Sequence, residues 1–331
     1  MSYQIGLTNL LNWAVLPTTS PPEELFADPE LLDAQRWASA LPAPEQREVL
    51  VALDEQLPGL DPAKASALLV LGGGLVETGA DPTALLPGGL QHLHYLRELQ
   101  EAGQPPAPDL WRFTVMGLMA MVCRSAEARA QLRQQADLVQ WLEAHEELSD
   151  HFSYLLHLAA TSDEAALWIL LPDCETGLEI SISQVNNTFH LLTLVQPLMR
   201  DLAADLKLRH YPAATSPALL RFAQGDYTAE SEDTDYARFE WLTSLAYQGG
   251  PFDHLQMAWG EMRVSDWPRL RGHVVLLAAE SEKRISRSWD RGFLESVHDA
   301  NQPAVHLRRL LPAAEVRELL AELHPPVAPA A

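Results

Sequence analysis

Ala166-Leu167-Trp168-Ile169-Leu170-Leu171-Pro172-Asp173-Cys174-Glu175-Thr176-Gly177-Leu178-Glu179-Ile180-Ser181-Ile182-Ser183 is where the chain changes periodicity. A short apolar run meets a turn cluster at Asp173 to Gly177. After it Leu178, Ile180 and Ile182 alternate with Glu179, Ser181 and Ser183, the period of a strand with one buried face. The stretch therefore predicts a β-hairpin. Everything before it reads differently.

Upstream, the apolar residues recur at three and four. Val49, Leu50, Leu53 and Leu57 form one helical stripe, and similar stripes run through Leu90 to Leu99, Leu110 to Val122, Ala126 to Leu132 and Leu138 to Leu148. Asp28-Pro29, Asp61-Pro62 and Asp81-Pro82 each place a capping carboxylate before a proline suited to the first helical position. These signals predict about eight helices, without the fixed period of a solenoid. Downstream, Asn187 and Thr188 cap a helix carrying Leu191, Val195, Leu198, Leu202 and Leu206, which Pro197 should kink or restart.

Leu255, Met257 and Trp259 alternate like a strand, and His273 to Ala279 is long enough for one buried central strand. Ala304 to Leu310 reads as a further strand. An amphipathic helix with Val316, Leu319, Leu320 and Leu323 closes the chain. The expected architecture is α+β or mixed α/β: an irregular all-α domain over residues 1–160, packed on a 161–331 domain with a mixed sheet and flanking helices.

Charge is unevenly spread. The net charge is -22, yet residues 1–260 hold 13 Lys+Arg against 35 Asp+Glu while residues 261–331 hold 10 of each. Phosphate backbones and anionic membrane surfaces repel such a chain, so neither nucleic acid nor membrane is expected as a partner. A basic protein would be attracted. Asp226, Glu230, Glu232, Asp233 and Asp235, in the acidic loop 224–236, are the candidate partner-binding residues. The same loop lacks the glycine bend and distal glutamate of a calcium loop.

No catalytic or metal motif emerges. His145 and His151 are six residues apart and cannot share a helix face, and His92 and His94 point to different sides. Gly72-Gly73-Gly74 lacks the Lys-Ser or Lys-Thr of a phosphate loop, so it reads as helix packing or a kink. Cys123 and Cys174 form no framework, and the segment before Arg36 has no Lys or Arg, which together favour a reduced cytoplasmic setting. No cofactor is expected.

The least ordinary segment is Lys283 to Phe293, with Lys283, Arg284, Arg287 and Arg291 directly after the apolar strand. At a sheet end, Arg287, Ser288, Asp290 and Arg291, with His273 or His298, would form an anion site for an enzyme or small-ligand binder. The competing reading has Trp289 and Phe293 filling the core while the arginines pair with the acidic first half.

This C-terminal part resembles a group of uncharacterised bacterial proteins with a Gly-x-Val-Val-Leu-Leu strand followed by an Arg-Ser-Trp-Asn stretch. Here those residues are Gly272-His273-Val274-Val275-Leu276-Leu277 and Arg287-Ser288-Trp289-Asp290. A similar likeness covers Asn187-Thr188-Phe189-His190-Leu191-Leu192-Thr193-Leu194. The resemblance implies a bacterial origin and no activity. The function expected is a non-enzymatic cytoplasmic interaction protein of immunity, inhibitor or adaptor type. Its alternatives are the anion-site enzyme or binder and a structural subunit of a homo-oligomer.

Overall fold

The computed structural model describes residues 2–210, 212–226, 228, 236–239, 242–247, 258–280, 287–290 and 298–324, with backbone alone at 236–239, 242–243 and 287–290. The fold is α+β. The chain forms two compact units, Met1–Ala159 and Ala160–Ala331.

The first unit is helical: α1 (Tyr3–Val15), α2 (Pro22–Leu25), α3 (Pro29–Ser39), α4 (Ala43–Gln56), α5 (Pro62–Glu77), α6 (Leu86–Glu101), α7 (Pro108–Arg124), α8 (Ala126–Gln134), α9 (Ala136–Ala144) and α10 (His151–Ala160). Two of the three Asp-Pro pairs start helices as expected. Asp28 accepts the Glu30 N–H at the head of α3, and Asp61 accepts that of Ala63 at the head of α5. Asp81 instead closes a turn by accepting from the Thr83 N–H and hydroxyl, and α6 begins five residues later. Lacking a side-chain cap of its own, α6 borrows one: Asp54 of α4 accepts the Gly88 N–H at 2.6 Å.

Gly72 and Gly73 of the triplet serve packing, whereas Gly74 is exposed with open space beside it. A Cβ on Gly73 would lie 3.2 Å from the Gly117 Cα, and one on Gly117 2.5 Å from the Leu69 carbonyl oxygen, so α5 and α7 touch backbone to backbone. Buried Arg129 of α8 donates to the carbonyls of Val122 and Cys123, capping the end of α7.

The second unit holds β1 (Ser162–Leu171), β2 (Thr176–Val185), α11 (Thr188–Asp201), α12 (Pro217–Ala223), β3 (Tyr236–Phe239), β4 (Leu242–Ala246), β5 (Arg269–Leu270), β6 (His273–Glu280), β7 (Arg287–Asp290), β8 (Ala304–Leu311) and α13 (Ala313–Leu323). β1 and β2 form the expected antiparallel hairpin, with Leu171 opposite Thr176. The sheet order is β4-β6-β1-β2-β8 with β5 on β6, and the β1–β6 pair is parallel. A separate ladder joins β3 to β7.

Helices cover both faces, which explains why Ala165 to Leu171 of β1 and Val274 to Ala279 of β6 are continuously apolar. Leu167, Ile169, Ile180, Val274 and Leu276 pack with Leu191, Val195 and Phe222 of α11 and α12. Trp168, Leu170, Val275 and Leu277 pack with Val316, Leu319 and Leu323 of α13.

Asn187 caps α11 by accepting the His190 N–H at 2.9 Å. The helix continues through Pro197 to Asp201, so the proline does not restart it. The alternation at 254–259 falls mostly outside the described residues. Its last members, Ala258 and Trp259, are not strand, and Trp259 is exposed.

Arginines near the C-terminus pair within their own unit: Arg269 with Glu164, Arg309 with Glu179 and Glu315, Arg317 with Glu175, and Arg271 with Glu318 and Glu322. Three of these arginines, Arg269, Arg309 and Arg317, thus reach carboxylates of the β1–β2 hairpin, and Arg271 and Arg309 reach those of α13. The side chains of 283–291 lie outside the described set.

Candidate functional site

Asp226 is the acidic-loop residue that the described structure places in a concavity. A groove of about 650 Å³ opens where β2, β8 and the segment after α12 meet, lined by Ser183, Asp226, Asp299, Gln302, Ala304 and His306 among others. The strand register builds it: Ser183 stands opposite Ala304, and His306 lies two residues further along β8. The loop before β8 is clamped by Gln184, which donates to the Ala300 carbonyl and accepts the Gln302 N–H. Gly225 has φ +98°, and a Cβ there would run into the Asn301 carbonyl, so only glycine suits the approach of the Asp226 segment.

The groove is anionic. The Thr228 hydroxyl, donating at 2.6 Å, holds the Asp226 carboxyl below its ordinary value, with the Arg221 guanidinium 3.8 Å away. Asp299 is exposed on the opposite wall, and no Lys or Arg lines the groove among the described residues. Such a surface favours cationic groups. Glu230, Glu232, Asp233 and Asp235 lie outside the described residues.

The described anion-site candidates are spread over three segments. Arg287, Ser288 and Asp290 belong to β7, where Phe239 stands opposite Arg287 and Tyr236 opposite Asp290. Leu242, which opens β4, stands opposite Glu280 at the end of β6. His273 opens β6 at its other end, roughly 23 Å away at the rise of a strand. Its ring lies against Trp168, 4.3 Å between centroids. His298 holds a turn by accepting the Ala300 N–H. Arg291 lies outside the described residues.

In the helical unit a second groove, of about 330 Å³, runs between α1 and α3 and is lined by Gly6, Asn12, Trp13, Leu16, Glu30 and Asp33, with Asn9 and Ala34. Its Trp13 is anchored on three sides. The indole N–H donates to Asp28 at 2.9 Å, the carbonyl accepts from buried Lys64 at 2.9 Å, and the Lys64 ammonium sits 3.4 Å from the ring centroid. Burial pushes the Lys64 pKa below the ordinary lysine value, with Asp28, Glu30 and Asp61 opposing that shift.

Sequence spacing did not reveal one buried polar cluster. Ser66 Oγ of α5 lies 3.2 Å from His92 Nε2 of α6 and 3.0 Å from Thr114 Oγ1 of α7. All three are sealed in the core, and burial lowers the His92 pKa to about 4. A serine beside an imidazole suggests a nucleophile and its base, but nothing lines a path to it and no carboxylate orients the ring among the described residues. It is a hydrogen-bonded core network. Burial likewise pushes the Cys123 thiol up to about 12, leaving no thiolate for chemistry.

His145 Nδ1 donates to the Trp141 carbonyl, 2.8 Å away, and the ring stacks on that of Trp141, as its place on the apolar face suggested. Among the described residues no cluster of three His, Cys, Asp or Glu side chains is placed to hold a metal, and no helix is long and apolar enough to cross a membrane. Compared with protein-family models, with curated proteins and with solved structures, the chain finds no match.

Proposed function

We propose that this chain is a non-enzymatic cytoplasmic binding protein, of immunity, inhibitor or adaptor type, that engages a basic protein through its acidic surface. One observation carries the reading: the helical unit has 21 Asp+Glu against 8 Lys+Arg, and those few cations are already committed. Arg36, Arg47, Arg97, Arg112 and Arg124 lie in ion pairs with carboxylates. Lys64 and Arg129 are buried on backbone carbonyls. The surplus acid thus faces outward with little local neutralisation, which steers a cationic partner and repels an anionic one.

The groove holding Asp226 and Asp299 supplies a second acidic surface on the α/β unit. Titration of the full chain with oligolysine and with oligoglutamate tests the reading. Binding of the cation alone is expected. Equal binding of both peptides, or of neither, sinks it.

A further inference from the structure

We infer that β8 is an interface for a second copy of this chain, the two β8 strands pairing antiparallel about a twofold axis to join two sheets edge to edge. The inference stands apart from the basic-partner reading above.

β8 ends the sheet: among the described residues it pairs with β2 alone. Five residues in a row, His306 to Leu310, are exposed. On the outer side of an edge strand the backbone N–H and C=O groups have no ladder partner, which makes them a template for another strand. The side chains add to this. Leu307 stands opposite Ile180, and Leu310 opposite Leu178, so both continue the apolar layer that packs with α11 and α12. Each is nevertheless 38% exposed, where that layer runs out at the edge.

Charge selects the occupant. The stretch Ala300 to Ala314 holds no Asp or Glu in a chain of net charge -22, so two acidic molecules can approach there with little local repulsion. Charge also varies along the strand. Asp226 and Asp299 are exposed in the groove at its Ala304 end, whereas Arg308 is exposed in its second half and, among the described residues, pairs with no carboxylate.

Antiparallel pairing sets the Ala304 end of each strand beside the Leu311 end of the other, so each Arg308 is brought toward the other copy's carboxylates. Parallel pairing would set arginine beside arginine and acid beside acid. A twofold axis normal to the sheet also keeps Leu307 and Leu310 of both copies on one face, and the apolar layer becomes continuous. Such a contact is self-complementary and closes on itself.

Charges and bulges ordinarily guard an edge. β8 has both: its register shifts between Leu307 and Arg309, and it carries two arginines. Arg309, however, is folded back onto Glu179 and Glu315 at 2.8 and 2.7 Å. That leaves Arg308, which antiparallel pairing supplies with a partner.

The test is sedimentation velocity of the full chain over a concentration series, with hydrogen exchange followed by mass spectrometry at both ends of the series. A monomer–dimer equilibrium is expected, with exchange at Ala304 to Leu311 slowing as dimer forms. A change at Arg308 enters twice in a twofold dimer, so Arg308→Glu should weaken association about tenfold. Adding Asp299→Arg should recover most of that loss. Both positions are exposed, so circular dichroism should report an unchanged fold.

A chain that stays monomeric at every concentration overturns the inference. A dimer whose β8 exchange does not slow, or whose affinity Arg308→Glu leaves unmoved, overturns β8 as its interface. Loss on Arg308→Glu without recovery by Asp299→Arg overturns the antiparallel matching of charge.

Discussion

His92 is the side chain at which pH acts most directly on the fold. Burial holds its imidazole neutral down to about pH 4, whereas in the unfolded chain it protonates near its ordinary value of 6.5. Between those values the unfolded state binds more protons, so stability rises with pH there: it is complete above about 6.5 and lost as pH falls toward 4. The span corresponds to a loss of up to about 3 kcal/mol. Burial lowers the His157 pKa to about 4 as well, adding in the same direction. Thermal melts of the full chain should fall through this window, and His92→Gln should flatten the fall. A variant with the wild-type pH profile would contradict the assignment. The sequence placed His145 on its apolar face, but it could not pair His92 with Ser66 and Thr114, because those partners come from two other helices and share no spacing with it.

At the scale of elements, caps and close approaches decide the geometry of the helical unit. Gly117→Ala would push a Cβ against the Leu69 carbonyl and should cost about 1 to 3 kcal/mol, read by denaturant unfolding. Asp54→Ala should release the Gly88 N–H and cost about 1 kcal/mol, with hydrogen exchange rising at the start of α6. An exchange pattern unchanged there would show that α6 needs no borrowed cap.

The helices were legible from their stripes, and two of three Asp-Pro starts were correct. Asp81 misled because its carboxylate caps a turn as readily as a helix. In the α/β unit, the apolar runs of β1 and β6 and the alternation of β2 identified strands. The first residues of β1, Ser162 to Glu164, did not read as strand, since they are polar and lie where the register shifts. Nor did the parallel β1–β6 pairing or the groove at Ser183 and Ala304, which depend on strands more than 100 residues apart.

For the molecule as a whole, the charge asymmetry resolves into two effects. The arginines Arg269, Arg309 and Arg317 answer Glu164, Glu179 and Glu175 across the α/β unit, so part of the acid in the first 260 residues is matched internally. The helical unit has no comparable supply of cations, and its carboxylates define its outer character. Interaction through such a surface weakens as the Debye length shrinks from about 30 Å at 0.01 M salt to about 3 Å at 1 M. The most direct measurement is therefore the dissociation constant of oligolysine across a salt series. From about 20 to about 500 mM salt the affinity should fall at least about tenfold, and an affinity that stays flat across the series would contradict an acidic binding surface.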